Sequence, residues 1–266
     1  MAEQKMIKMK EQMNKSEAGA GEGGLLSHLR ELRARIIKSL LAIALGFAAA
    51  FNFSNEILAF LVMPLTAVLP EGQKLIFTGL PDGFLVHLKI GVWGGVFVSA
   101  PLWLYQLWSF VAPGLYRSER CKVIWLAAVA TLLLFTGAAF GYGLIFPLAF
   151  KFFVGFSNEM LTAMPALGPY FSLATSMLLA SGLVFQLPLA IIFMASLGLV
   201  NSAILSKGRK YAILIIFIVA AILTPPDVIS QCLLAFPMMI LYEISIRLVA
   251  RNERKSAAEE AEALES

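Results

Sequence analysis

The chain has 266 residues, of which 59% are hydrophobic and only 14% charged, and its mean hydropathy is +0.80. A water-soluble globule of this length has too little interior to hide that much apolar surface, so a soluble enzyme or soluble binding module is excluded. The net charge of +4 does not mark a nucleic-acid surface, because no basic patch is interleaved with exposed aromatic residues.

The N-terminal segment, residues 1–24, is polar and reads as a flexible cytoplasmic tail ending in AGAGEGG. It lacks the apolar run that follows the basic region of a cleavable signal peptide. Residues 25–249 form the membrane domain. Its first apolar stretch runs from about Leu32 to Phe53, near the length that crosses a hydrocarbon core. A long loop follows, in which NEILAFLVMPL predicts a short interfacial helix stopped by Pro64. The second stretch begins near Phe84, carries Gly91, Gly94 and Gly95 for close helix approach, and is expected to kink at Pro101. The third runs from about Val123 to Phe146. The fourth runs from about Phe171 to Leu197 and contains Gln186 and Pro188. The fifth starts at Tyr211 and is cut short by Pro225 and Pro226. The sixth, also short, ends near Ile246, and residues 250–266 are expected to be a solvated, frayed acidic tail in the cytoplasm.

The expected fold is therefore an all-α membrane protein with six transmembrane helices. Lysine and arginine set the orientation. Lys5, Lys8, Lys10, Lys15, Arg30, Arg33, Arg35 and Lys38 precede the first stretch. Further clusters are Arg117, Arg120 and Lys122; Lys207, Arg209 and Lys210; and Arg247, Arg251, Arg254 and Lys255. Only Lys74 and Lys151 fall in the alternate loops. The positive-inside rule then puts both termini in the cytoplasm. Cys121 and Cys232 lie towards opposite ends of the bundle and are expected to be inert thiols.

No nucleotide loop, zinc motif or nucleophile elbow is present, so neither a catalytic residue nor a metal or cofactor site is expected. His28 and His87 lack nearby partners in sequence. The carboxylates carry more information. Glu31, in SHLRELRAR, can pair with Arg35 at i,i+4, and Glu119, in YRSERCK, can stabilise a first helical turn behind Ser118. The competing reading is a pair of anionic sockets at the mouths of two spans, suited to guanidinium groups that engage a carboxylate through two parallel hydrogen bonds. Within the apolar stretches, Gln186 and Glu243 are the conspicuous polar residues. Gln186 either bonds a neighbouring helix or has a functional role, and Glu243 is placed to pair with Arg247. Asp227 in LTPPDVISQ is positioned to cap the sixth helix.

Four motifs in this order, SHLRELRAR, APLWLYQLWSFVAPGLYRSER, FPLAF and LTPPDVISQ, resemble the TatC family. TatC is the signal-peptide receptor subunit of the twin-arginine protein translocase. The resemblance spans about Leu25 to Leu248. It implies a curved, glove-like bundle in a bacterial cytoplasmic (inner) membrane. It also implies a component that binds the twin-arginine signal peptides of folded precursors and supports transport driven by the proton-motive force. The implied partners are TatA- and TatB-type single-span subunits, membrane lipid, and further copies in a larger complex. Carried over residue by residue, signal-peptide binding falls to Glu31, Glu119, Phe110 and Arg33. Partner docking falls to Thr224 and Gln231, with Gln186 grouped beside them, and activity or assembly to Pro64 and Asp227. Many family members have a glutamate where this chain has Gln186, which keeps the polar contact but cannot titrate. A small-solute secondary transporter is the main alternative, although repeated halves and a midplane polar cluster are not evident. An intramembrane hydrolase would need a nucleophile–base pair at depth, and a scaffold alone would not account for the two carboxylates.

Overall fold

The computed structural model describes residues 29–70, 73–111, 120–156, 164–224 and 227–265. Its helices, in chain order, are α1 (Leu29–Asn52), α2 (Ser54–Thr66), α3 (Asp82–Val98), α4 (Ala100–Val111), α5 (Arg120–Phe140) and α6 (Phe146–Val154). They continue as α7 (Leu167–Val184), α8 (Leu187–Ser196), α9 (Ser202–Lys207), α10 (Arg209–Leu223) and α11 (Val228–Glu265). A π-helical turn, Gly141–Ile145, joins α5 to α6. Among the described residues the only β pairing is an isolated parallel bridge between Ile76 and Ala166. All six predicted apolar stretches are helical. Four continuous runs are long and apolar enough to cross a membrane: Leu29–Asn52, Val123–Val154, Leu167–Ser196 and Val228–Ala258. The α3–α4 pair makes a fifth if its 55° bend is one broken span. Helix α10 has 15 residues and therefore reaches only about 22 Å.

Small residues set where the helices cross. Lipid tails are as apolar as leucine, so helix association in a membrane relies on close packing. Helices α1 and α3 meet at Gly46 and Gly95: a Cβ on Gly46 would stand 2.7 Å from the Gly95 carbonyl oxygen, and one on Gly95 would stand 2.6 Å from the Phe47 nitrogen. The α5–α7 crossing is built the same way, with a Cβ on Gly137 falling 2.5 Å from the Ser181 carbonyl oxygen. Helix α7 is the hub. The most apolar window of the α7–α8 run is 44% buried inside the protein, against 11% for α1. Phe146, Met177 and Leu234 are almost fully enclosed, in a core where α7 meets α2, α6, α10 and α11. A second core joins α4, α5 and α8 around Leu104, Trp108, Ala130 and Leu134.

The structure bears out one of the sequence expectations about proline and corrects others. The expected kink of the second stretch is present as a 55° bend at Ser99, just before Pro101, and the Ser99 hydroxyl donates to the Gly95 carbonyl at 2.7 Å. Pro101 sits one residue into α4, in a first turn where its missing N–H leaves nothing unsatisfied. Pro64 does not stop α2, which continues to Thr66 with the proline inside and buried. Proline has no N–H for the Phe60 carbonyl one turn back. The Tyr142 hydroxyl donates to that carbonyl at 2.7 Å, and the Tyr170 hydroxyl donates to the neighbouring Leu61 carbonyl. The C-terminal tail is helical: α11 is a single 38-residue helix, about 57 Å long, running to Glu265. Glu243 pairs with Arg209 rather than Arg247. Of the two cysteines, Cys232 is free and exposed, and the Cys121 side chain lies outside the described residues.

Candidate functional site

Two contacts fix how α1 lies against the α3–α4 pair. Gly46 meets Gly95, and Arg35 reaches Gln106 with its Nη1 3.4 Å from Oε1. One pair of positions rises as the other falls, so the segments run antiparallel. This brings the start of α1 beside the end of α4. The charged group here is Glu31 with Arg35, one turn apart on α1. Arg35 donates to Glu31 Oε1 from both Nε, at 3.0 Å, and Nη2, at 2.6 Å. The side chains are 40% exposed for Glu31 and 23% for Arg35, so solvent reaches the carboxylate more than its partner. Phe110 is half-buried and lies one turn beyond Gln106 on α4, at the level of Glu31. Arg33 is exposed and stands two residues from Glu31, so it projects from a different face of α1. Glu119 falls in 112–119, outside the described residues.

Gln106 is not among the residues that sequence reasoning singles out, although a lone amide within LWLYQLW is an available signal. Its neighbourhood holds further buried polar atoms, since Trp108 Nε1 and Ser109 Oγ are enclosed without a hydrogen-bond partner among the described residues.

A second charged cluster links α9, α10 and α11. Arg209 forks onto Glu243, with Nε 3.1 Å from Oε2 and Nη2 2.8 Å from Oε1. The Tyr242 hydroxyl donates to the Leu205 carbonyl at 2.9 Å. Glu253 caps α9, accepting from the Ser202 backbone N–H at 2.9 Å and from its hydroxyl. These residues tie the long α11 to the short helices before it.

The remaining candidates lie deeper in the bundle or at its other end. Gln186 occupies the break between α7 and α8 and donates from Nε2 to the Ala130 carbonyl of α5 at 2.8 Å. The interhelical hydrogen bond that its sequence position allows is therefore present. Gln231 donates across to the Phe217 carbonyl of α10 at 3.0 Å. The Thr224 hydroxyl, buried, donates to the Ala220 carbonyl at 2.8 Å. Asp227 Oδ2 accepts from the Ser230 N–H at 2.6 Å and so caps α11. Pro64 is one helix away, buried in α2. Thr224, Gln231 and Asp227 cluster at the α10–α11 turn; Gln186 is separate from them. No group of three or more metal-ligating side chains occurs among the described residues.

Comparison with known proteins agrees with this architecture. The profile for the Sec-independent protein translocase protein (TatC) family matches residues 27–237. The Sec-independent protein translocase protein TatC of Desulforapulum autotrophicum is 46% identical over 239 residues, covering 90% of this chain and 88% of the relative. That of Escherichia coli K12 is 36% identical over 222 residues, covering 84% and 86%. A crystal structure of a twin-arginine translocase receptor, TatC, superposes with a TM-score of 0.73 at 36% identity, covering 84% of this chain and 98% of that one. A second, of the receptor in DDM, gives 0.75 at 35% identity, covering 84% and 99%. A family of translocase components, not enzymes, fits a sequence without a catalytic motif, and the small-solute transporter reading is not favoured. The chain belongs to the TatC family of Sec-independent protein translocase proteins.

Proposed function

We propose that this chain is the signal-peptide receptor of a twin-arginine translocase. In this reading it crosses a bacterial inner membrane six times with both termini in the cytoplasm. It binds twin-arginine signal peptides of folded precursors and works with TatA- and TatB-type subunits to move them across. Alternation of the basic clusters with the apolar helices supports that topology. The short α10 then spans by local thinning of the bilayer or beside a partner helix.

The receptor site in this reading comprises Glu31, Glu119, Phe110 and Arg33. One observation carries it: Glu31 is 40% exposed and already accepts two hydrogen bonds from a guanidinium. A carboxylate that holds one guanidinium has the charge and the acceptor geometry to hold another. Thr224 and Gln231 are the proposed docking positions for partner helices at the α10–α11 turn, with Gln186 contributing through its place at the α7–α8 break. Pro64 and Asp227 are proposed to support assembly.

Photo-crosslinking of a twin-arginine precursor to this chain in native membranes tests the reading. Glu119→Ala is expected to reduce the crosslink strongly and Glu31→Ala to reduce it less. Each lost charge-assisted hydrogen bond is worth about 1.5–3 kcal/mol, roughly 10- to 100-fold in affinity. An undiminished crosslink in both variants would remove these carboxylates from the site and leave Glu31 as a plain ion-pair partner.

A further inference from the structure

The Glu31–Arg35 contact is lopsided. Two of Arg35's three donor nitrogens, Nε and Nη2, converge on Oε1, and Oε2 receives no hydrogen bond from Arg35. The remaining terminal nitrogen, Nη1, lies 3.4 Å from Gln106 Oε1, at the long end of hydrogen-bond range. Arg35 therefore has a strong partner on its own helix and a weak, neutral one on α4. Of the two ionic side chains it is the less exposed, so displacement from Glu31 would turn it towards α4 rather than into water.

We propose that Arg35 is an internal competitor for the signal-peptide site: it occupies Glu31 while no peptide is bound, and it shifts its fork onto Gln106 when an incoming arginine takes the carboxylate. This rests on the reading of Glu31 as part of that site. The exchange replaces one guanidinium by another, so the carboxylate keeps its neutralising charge and its planar donors throughout. An arginine can also use both oxygens, including the one that Arg35 does not bond. A lysine brings the charge as a compact ammonium without a fork, and has to displace a fork with less. The cost of displacing Arg35 is the same for every cation, so the competitor raises the threshold equally for all of them, and an ammonium, whose own contact is weaker, falls below it first. The fork sets the ratio of the two affinities, and the competitor sets the affinity that a cation needs to enter the site at all.

The test uses the full chain in lipid nanodiscs and two fluorescent signal peptides that differ only in carrying Arg-Arg or Lys-Lys, read by anisotropy at fixed salt. Arg35→Gln is expected to tighten both peptides about tenfold. Arg35→Lys, which keeps the charge and the helix but removes the fork, is expected to tighten both part of the way. Gln106→Leu removes the second resting place and is expected to weaken Arg-Arg binding. Affinities unchanged in both Arg35→Gln and Arg35→Lys would overturn the proposal, as would weakening of both peptides, since either outcome makes Arg35 a passive holder of Glu31. Glu31→Gln separates this failure from a failure of the site itself. If Glu31→Gln leaves Arg-Arg binding intact, the receptor reading of Glu31 fails and the competitor fails with it. If Glu31→Gln weakens binding while the Arg35 variants leave the affinities unchanged, the site stands and only the competitor is lost.

Discussion

Among the described residues, two carboxylate–guanidinium pairs have carboxylates of similar exposure but are built differently. Glu31 and Glu243 are 40% and 39% exposed, so access to solvent does not distinguish them. Arg209 meets Glu243 from another helix, 34 residues away, and uses one nitrogen for each carboxylate oxygen. Arg35 meets Glu31 from the same helix, four residues away, and places both donors on a single oxygen. The first arrangement fastens α10 to α11 beside two further ties to α11, from Leu205 and Ser202. The second fastens no helix to another except through the long Gln106 contact. An ion pair that locks two helices has a structural purpose that would be lost on exchange. A pair within one helix, with its carboxylate partly exposed, can exchange its cation at little structural cost.

Exchanging the charges within each pair gives the largest expected contrast. The double variant Glu31→Arg with Arg35→Glu keeps the i,i+4 ion pair but moves the carboxylate one turn deeper. It should lose twin-arginine peptide binding by roughly 10-fold or more, measured by anisotropy. Arg209→Glu with Glu243→Arg should leave binding within about twofold, because that pair touches no peptide and an exposed pair contributes only about 0–1 kcal/mol. Equal losses in the two double variants would erase the distinction between the pairs.

Peptide chemistry gives the next effect. On the unmodified chain a Lys-Lys signal peptide should bind about tenfold more weakly than Arg-Arg, because it cannot make the bidentate contact. Equal binding would make the site a simple charge sink.

How much of this is legible in the sequence depends on the range of the interaction. The apolar runs mark the six helical stretches, and the i,i+4 spacing alone is enough to predict the Glu31–Arg35 pair. Arg209–Glu243 is not legible. A partner on the same helix, Arg247, satisfies the spacing rule, and only packing of α10 against α11 reveals the longer-range partner. Pro64 misleads because its effect on α2 is offset by the hydroxyl of Tyr142, which bonds the Phe60 carbonyl 82 residues away. Charge alone predicts a frayed tail after α11's apolar part, whereas AAEEAEALE is rich in strong helix formers and stays helical. Gln106 is marked locally only as a lone amide in an apolar run, and nothing near it in sequence names its partner, Arg35, 71 residues away.

Gln186 offers a smaller effect that sharpens the comparison from outside both pairs. Its amide donates to the Ala130 carbonyl, so its contribution is one neutral hydrogen bond between the start of α8 and α5. Gln186→Leu should lower the stability of the detergent-solubilised protein by about 0.5–1.5 kcal/mol and lower transport in part. Gln186→Glu should retain much of the transport. Full activity and stability in Gln186→Leu would make this a packing position.

Single removal of Glu243 should have the smallest effect. Glu243→Gln is expected to cost no more than about 1 kcal/mol of stability and to leave peptide binding unchanged, since both partners are well exposed. A clear loss of peptide binding would extend the receptor site to the α10–α11 side of the bundle.

Glu31 and the end of α4 are proposed to form one receptor surface, and everything said of peptide recognition depends on that. The most direct measurement puts a photoreactive residue at position 110 and, as a control, at the exposed position 213 on α10, and follows crosslinking to a twin-arginine signal peptide in native membranes. The prediction is a strong crosslink from 110 that Glu31→Ala reduces, with little from 213. A crosslink from 110 that is indifferent to Glu31→Ala, or one that forms mainly from 213, would contradict it.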